Sequence, residues 1–295
     1  MNAEPLLIVN ADDFGMTAGI SAGILAAHRG GIVTSTSVLA NGRVLTKFVG
    51  QLLDTPRLGV GVHLAAVGED PPLLSAAEIP TLVDRHGQFP STWRAFLFRG
   101  TPGRIDPNDL AREFLAQLER VQALGFPITH LDAHQHLQLW PLVRDVMLEL
   151  ATETGIGAVR APRYRSATPI GLGVSALGRS LTRAADQRRI IYTADSVGIE
   201  IAGHLDLPTL ERVLTDLSVR RPTSFELTVH PGLAEDPRRA QYQWGYEWDQ
   251  ELTTLTSPDA AAMVARSGYR LGTYADLTAT TAAVTNAGPI AERPL

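Results

Sequence analysis

The sequence of 295 residues contains no cysteine. This absence excludes disulfide bonds, thiolate metal sites and a cysteine nucleophile. The sequence also lacks an apolar run long enough to cross a bilayer, and its N-terminus lacks the basic region, apolar core and cleavage site of a signal peptide. We therefore expect a cytoplasmic protein without a membrane span.

The net charge of -5 at pH 7 bears on the possible binding partners. It disfavours a protein whose affinity for nucleic acid comes from neutralising phosphates, so we expect no nucleic-acid partner. Hydrophobic residues make up 44% of the chain and charged residues 19%, which indicates a globular protein and not a disordered one. A small molecule is the expected partner.

Strand and helix patterns alternate seven or eight times along the chain. This alternation is typical of a parallel sheet covered by helices, and at this length it suggests a (β/α) barrel, with a doubly wound open sheet as the alternative. The predicted strands cover 6–9, 32–39, 58–64, 128–132, 158–160, 190–192, 224–230 and 269–274. The predicted helices cover 18–28, 44–53, 107–124, a stretch from Pro141, 207–217 and 258–266.

Two segments interrupt the alternation. Residues 65–105 contain five prolines and form a long insertion after the third strand, and connections of this length are often lids or substrate-binding loops. The residues from 278 onwards have low complexity. We predict one domain over residues 1–277 and a loosely ordered tail over 278–295.

Asp12 and Asp13 directly follow the first predicted strand. Two adjacent carboxylates near a core repel each other, and a bound cation is the simplest compensation. The other interpretation is that one aspartate caps the following helix while water solvates the other. This segment alone leaves both interpretations open.

Histidines follow other strands at the same end of the predicted sheet. They are His63 on the third strand, His134 and His136 after the fourth, and His230 after strand 224–230. Carboxylate and imidazole together form a ligand set for a divalent metal ion. Each histidine taken alone has a simpler explanation, which is a buried ring that satisfies a local hydrogen bond.

Several motifs in order resemble the YdjC-like carbohydrate deacetylases, from about Leu6 to Leu277. The segments that carry the resemblance are Val9-Asn10-Ala11-Asp12-Asp13-Phe14-Gly15, residues 30–37, Gly61-Val62-His63-Leu64, His130-Leu131-Asp132-Ala133-His134-Gln135-His136, Val229-His230-Pro231-Gly232 and residues 268–272. The resemblance implies a distorted (β/α) TIM-like barrel that is often a homodimer. It also implies removal of acetyl groups from N-acetylated sugars.

The same resemblance implies roles for individual residues. Asp13, His63 and His134 correspond to the metal ligands, Asp12 to the general base and His230 to the general acid. The implied metal is Mg²⁺, and one carboxylate with two imidazoles also suits Zn²⁺, Co²⁺ or Mn²⁺. The family often reads HLDSHHHVH where this chain has Gln135 and Gln138, so the resemblance does not define the contacts with substrate or the exact sugar.

Three more residues are weaker candidates for substrate contact or support of the site. Asp132 is expected to orient a histidine, His136 to touch substrate or support the site, and Arg160 to bind a substrate hydroxyl. The aromatic residues of segment 242–248 are candidate sugar-stacking walls or solvent-facing packing. The alternative functions are another metal-dependent barrel reaction on sugars or phosphoesters, and a non-catalytic sugar-binding protein.

Overall fold

The computed structural model describes residues 4–100, 103–165 and 167–286. Over these residues the strands form a curled parallel sheet in the order β4-β3-β2-β1-β6-β5, with β7 paired beside β1. The strands are β1 (Leu6–Phe14), β2 (Ser35–Val38), β3 (Gly59–Leu64), β4 (Ile128–Ala133), β5 (Asp195–Val197), β6 (Ser224–Val229) and β7 (Arg270–Leu271).

Helices cover the sheet and bury its apolar face. They are α1 (Ala18–Arg29), α2 (Leu45–Leu53), α3 (Trp93–Gly100), α4 (Pro107–Gln122), α5 (Pro141–Thr154), α6 (Pro169–Arg188), α7 (Leu207–Arg220), α8 (Trp248–Leu255), α9 (Pro258–Ser267) and α10 (Tyr274–Asn286). A 3-10 segment, His134–Leu139, links β4 to α5. Among the described helices none is long and apolar enough to cross a bilayer.

Helix starts follow local chemistry that the sequence displays. The side chains of Thr17, Asp106, Asp206 and Ser257 each accept a hydrogen bond from a backbone N–H in the first turn of the next helix. Such caps satisfy donors that have no partner inside the helix. The predicted starts of these four helices, at residues 18, 107, 207 and 258, agree with the structure.

The sheet closes toward a barrel through isolated bridges. Leu131 in β4 pairs with Val159, and Ala158 pairs with Ile191. The chain then reaches Asp195, the first residue of β5, four residues after Ile191, so the β4 and β5 edges of the sheet approach each other. The result is a half-barrel of six main strands, which confirms the distorted TIM-like barrel.

Some predicted elements differ from the structure. The predicted strands 158–160 and 190–192 are reduced to the single bridges above. The sequence prediction missed β5. This strand pairs with β6, and just before it the backbone N–H of Ala194 donates to Ser224 Oγ at 2.9 Å. Such long-range contacts leave no local pattern, because Asp195 and Ser196 are polar and the strand is short.

The predicted tail and aromatic loop also contain helix. Helix α10 extends to Asn286, so the first part of the predicted tail is helical, while residues 287–295 lie outside the described part of the chain. Helix α8 begins at Trp248 within the predicted aromatic loop. Residues 101–102 of the predicted insertion are also outside the described ranges.

Candidate metal centre and cavity

The C-terminal end of β1 brings two consecutive carboxylates to one site. The register between β1 and β2 shifts between Ala11 and Phe14, and Asp13 has a φ of 71°. Neighbouring side chains of a regular strand point to opposite faces, and such a bulge redirects one of them. Asp12 Oδ2 and Asp13 Oδ1 therefore both lie near Nε2 of His63, at 4.0 Å and 3.6 Å.

Asp13, His63 and His134 form what we call the three-donor cluster. One potential ligand atom from each side chain lies within 4.8 Å of the others, and all three residues are buried. His134 Nδ1 is 3.1 Å from Asp13 Oδ1. Asp13 Oδ1 is buried, and His63 Nε2 lies 3.6 Å from the same oxygen. A buried carboxylate oxygen facing two imidazoles is a suitable place for a cation.

A second group, which we call the Arg160 network, consists of Arg160, Asp12, Asp132 and Glu226. The two terminal nitrogens of Arg160 donate to the two carboxylate oxygens of Asp12 at 2.6 and 2.7 Å. The guanidinium also contacts Asp132 at 2.7 Å and Glu226 at 2.8 Å. Since Arg160 is only 1% exposed, its hydrogen-bonding capacity is used inside the protein.

The Arg160 network sets the ionisation of its members. Burial, the largest single cause, raises the pKa of the Asp12 and Asp132 carboxyls, but Arg160 and His63 together outweigh it and lower both below their ordinary values. The pKa of Glu226 stays raised because burial outweighs Arg160, and Tyr274 donates a hydrogen bond to its other oxygen at 2.6 Å. Asp12 and Asp132 are therefore ionised at neutral pH.

His63 connects the two groups. Its Nδ1 lies 2.8 Å from Asp132 Oδ1, which leaves Nε2 facing the three-donor cluster. Burial lowers the pKa of His63, but Asp132 and Asp12 raise it to about 9. The carboxylates thus favour positive charge at Nε2, which a metal ion would supply in place of a proton.

His230 is a second imidazole near Asp12. Its Nε2 is 4.0 Å from Asp12 Oδ2, and its ring is 4.8 Å from that of Tyr246. Burial lowers the pKa of His230, and the neighbouring aspartates only partly oppose this. The backbone N–H of His230 donates to Glu251 at 2.5 Å, so α8 fixes the end of β6.

His130 and His136 are also close to the site, but only His136 lines the cavity among these two. His130 stacks on Tyr274 with ring centroids 3.9 Å apart, and a Cβ on Gly61 would overlap its ring, which explains that glycine in β3. His136 has a φ of 54° and lines the cavity described next. Its Nδ1 is buried without a hydrogen-bond partner among the residues that the structure describes.

A cavity of about 1010 Å³ opens at these groups. Asp12, His136 and His230 line it together with the three-donor cluster, whereas Asp132 and Arg160 do not belong to its lining. The insertion and the aromatic segment also contribute to the lining. Their cavity-lining residues are Glu69, Ser91, Thr92, Trp93, Arg94, Leu97, Gln241, Gln243, Trp244 and Tyr246.

The predicted aromatic walls divide into two kinds. Trp244 lies 5.4 Å from the His134 ring and lines the cavity, as does Tyr246. Tyr242 and Trp248 are buried, at 3% and 5% exposure, and pack inside the protein. In the insertion, Phe96 is fully buried and anchors α3, whereas Phe98 is 83% exposed.

The sequence predictions missed three supporting residues. Ser37 donates to Asp132 at 2.8 Å, Glu226 completes the Arg160 network, and Glu251 holds His230. For Glu226 a signal was present, because it shares strand parity with His230. Ser37 and Glu251 have no comparable local signal, since their partners lie on distant elements.

Comparison with known proteins supports the resemblance found in the motifs. A model of a family described as YdjC-like protein matches residues 6–266. A chitooligosaccharide deacetylase from Enterobacter sp. (strain 638) is 32% identical over 277 residues, covering 93% of this chain and 100% of that protein. A carbohydrate deacetylase from Brevibacillus brevis is 34% identical over 238 residues, covering 76% of this chain and 90% of that protein.

A solved structure shares the fold. It is a protein of Enterococcus faecalis V583 named for cellobiose-phosphate cleavage, with a TM-score of 0.77 and 23% identity. The match covers 93% of this chain and 99% of that chain.

Proposed function

Since the chain belongs to the YdjC-like protein family, we propose that it is a metal-dependent hydrolase that removes the acetyl group from an N-acetylated amino sugar or oligosaccharide. The observation that carries the proposal is the three-donor cluster, which opens into a large cavity. Relatives that cover most of this chain are named chitooligosaccharide and carbohydrate deacetylases.

The residues of the three-donor cluster fit a divalent metal ion. Asp13 provides a buried carboxylate oxygen that faces two imidazoles, and His63 and His134 provide ring nitrogens. When bound, a divalent ion supplies Lewis-acid chemistry, which lowers the pKa of water and stabilises negative charge on a carbonyl oxygen. We propose Mg²⁺ from the resemblance, with Zn²⁺, Co²⁺ and Mn²⁺ also compatible with this donor set.

Asp12 is the proposed general base. Hydrolysis of the amide forms a bond between the oxygen of water and the acetyl carbon, breaks the C–N bond, and yields acetate and an amine. Asp12 accepts a proton from the attacking water. Arg160 holds both oxygens of Asp12 and keeps the carboxylate ionised, so the base is ready in position although its basicity is reduced.

His230 is the proposed general acid. The nitrogen of an amide leaves readily only after it gains a proton, because a free amide anion is too basic to be expelled. His230 lines the cavity 4.0 Å from Asp12 Oδ2 and delivers this proton from its imidazolium form. Burial lowers its pKa, so the imidazolium is the minor form at neutral pH but a stronger acid than in water. Asp12 gains one proton from water and His230 gives one to the amine, so the exchange balances.

Other residues support these roles. Asp132 fixes the orientation of the His63 ring through the 2.8 Å contact with Nδ1. Arg160 positions Asp12 and compensates the buried carboxylates, which replaces the hydroxyl-binding role expected from sequence. Trp244 and Tyr246 offer faces on which a sugar ring stacks beside His134 and His230.

The experiment is acetate release from a panel of N-acetylated mono- and oligosaccharides by metal-loaded protein. Wild type is expected to release acetate from at least one sugar. Asp12→Asn is expected to lose this activity, while Glu153→Gln, which removes an exposed charge on α5, keeps it. Full activity in Asp12→Asn would contradict the scheme.

Binding and turnover assays on the same metal-loaded protein separate the two alternative functions. Binding of a sugar without release of acetate would assign the chain to non-catalytic sugar binding. Turnover of a sugar or a phosphoester without acetate would assign another metal-dependent reaction.

A further inference from the structure

The wall of the cavity is apolar along helix α6. Ile170, Val174 and Leu177 line the cavity from one face of this helix, at intervals of four and three residues. They are joined in the lining by Leu139, Trp140 and Ile199. We call these six residues the apolar wall.

The α6 part of the apolar wall offers no side-chain hydrogen-bond partner to a second sugar unit. Sugar hydroxyls that leave water need such partners, and burying one without a partner is unfavourable. All three residues that α6 contributes to the lining are aliphatic. An oligosaccharide that extended along α6 would therefore lose hydration without compensation.

The part of the cavity beside His134 and His230 suits one sugar ring. The ring of Trp244 lies 5.4 Å from the His134 ring and that of Tyr246 lies 4.8 Å from the His230 ring, so stacking on them places a sugar beside the proposed metal ligand and general acid. The aromatic faces and the aliphatic α6 face of the cavity come from different segments of the chain. A ligand that fills both parts has a polar head and an apolar body.

The volume of the cavity and the exposure of the apolar wall agree with a ligand that has an apolar part. The cavity of about 1010 Å³ is at the upper end of the range for drug-sized ligands. Ile170 is 76% exposed in the protein alone. Large exposed apolar side chains beside a binding cleft are typical of surfaces that a ligand covers.

We propose that the substrate is an N-acetylated amino sugar with a hydrocarbon aglycone, and that the apolar wall binds the hydrocarbon. This inference rests on the proposed function, because the acetamido group is placed at the three-donor cluster. It assigns substrate selectivity to α6, a helix that carries none of the proposed metal ligands or proton-transfer residues.

The test compares kcat/KM for acetate release from methyl and octyl glycosides of N-acetylglucosamine and from N,N′-diacetylchitobiose, below the micelle concentration of the octyl glycoside. We expect kcat/KM for the octyl glycoside to exceed the other two by about tenfold or more, since single methylenes in apolar pockets already change it measurably. Equal values, or a preference for the disaccharide, would overturn the inference.

Variants of α6 locate the selectivity. Val174→Asn places a polar group in the apolar wall and is expected to bring the octyl-to-methyl ratio toward one. Leu172→Asn is the matched control, because Leu172 lies on the same helix, is 60% exposed and is not part of the cavity lining. Val174→Thr, which keeps the side-chain shape, serves if the asparagine variant does not fold.

A binding measurement separates this inference from the proposed function. Calorimetry on metal-free protein compares the affinities of the methyl and octyl glycosides. If no sugar releases acetate, the proposed function fails, but octyl binding at least about tenfold tighter would still support the apolar wall. Equal affinity for the two glycosides would overturn it.

Discussion

Two groups of buried charged side chains lie side by side at the C-terminal edge of the sheet, and they differ in how fully they are paired. In the Arg160 network the guanidinium contacts three carboxylates at 2.6–2.8 Å. In the three-donor cluster Asp13 Oδ1 lies 3.1 Å from His134 Nδ1 and 3.6 Å from His63 Nε2. The first group is closely paired in the protein alone, whereas the second is paired more loosely.

This difference indicates that Arg160 and its carboxylate partners stabilise the fold, with Asp12 also serving the reaction, whereas the three-donor cluster serves the reaction alone. Buried charges that are not closely paired are unfavourable, so a fold that keeps them has a use for them. The backbone supports the same division, because Asp13 and His136 have the left-handed φ values of 71° and 54°. Such strain is concentrated at functional sites. Four predictions test the division.

The largest expected effect is on activity when the three-donor cluster is changed. Asp13→Asn keeps the shape of the side chain, and asparagine tolerates the left-handed backbone at this position. We expect acetate release to fall at least about a thousandfold, since metal chemistry contributes several kcal/mol. Stability should change by less than about 1 kcal/mol, measured by urea unfolding. Full acetate release by Asp13→Asn would contradict a role of the three-donor cluster in the reaction.

The Arg160 network should respond in the opposite way. Arg160→Met leaves three buried carboxylates without their cation, and we expect a loss of about 3–5 kcal/mol in the free energy of unfolding. Arg160→Lys is the control, because it keeps the charge but not the planar fork, and it should lose less. Urea denaturation measures both variants. A loss below about 1 kcal/mol for Arg160→Met would show that the network is not structural.

Glu251, which holds His230, gives a prediction about pH. Burial raises the pKa of Glu251 to about 7 from its ordinary 4.5, although backbone N–H groups of His230 and Leu205 oppose this. Between these values the unfolded chain releases the proton and the folded chain keeps it, so this group reduces stability as pH rises.

Replacing Glu251 by glutamine removes the carboxyl group whose pKa differs between the folded and the unfolded chain. From pH 5 to pH 8, the stability of Glu251→Gln should rise relative to wild type by roughly 2 kcal/mol. Glu153→Gln, at an exposed position, should show no such change. Urea unfolding at several pH values measures the difference, and parallel pH profiles for wild type and Glu251→Gln would contradict the assignment.

The smallest expected effect concerns Asp132, the partner of the His63 ring that connects the two groups. Asp132→Asn weakens the hold on His63 without removing a proposed ligand. We expect metal affinity to fall about tenfold, as for other carboxylates that orient a ligand histidine. Ser37→Ala removes a neutral donor to Asp132 and should have less effect. Calorimetric titration of metal compares them, and unchanged affinity in Asp132→Asn would argue against its orienting role.

Sequence reasoning predicted the barrel and the convergence of Asp12, Asp13, His63, His134 and His230, because parallel strands end at one edge and helix caps are local. It did not predict the bulge that turns two consecutive aspartates to one site. It also assigned Arg160 to substrate, since its three carboxylate partners come from β1, β4 and β6 and leave no local pattern. Long-range pairing of this kind decides the contacts inside the site.

The most direct test of the central claim is a titration of metal into chelator-treated wild type and Asp13→Asn, with acetate release measured on the same samples. We predict that wild type binds one divalent ion per chain and gains activity with it, while Asp13→Asn gains neither. Acetate release by the chelated wild type at the full rate, or equal metal binding by the two proteins, would contradict the claim.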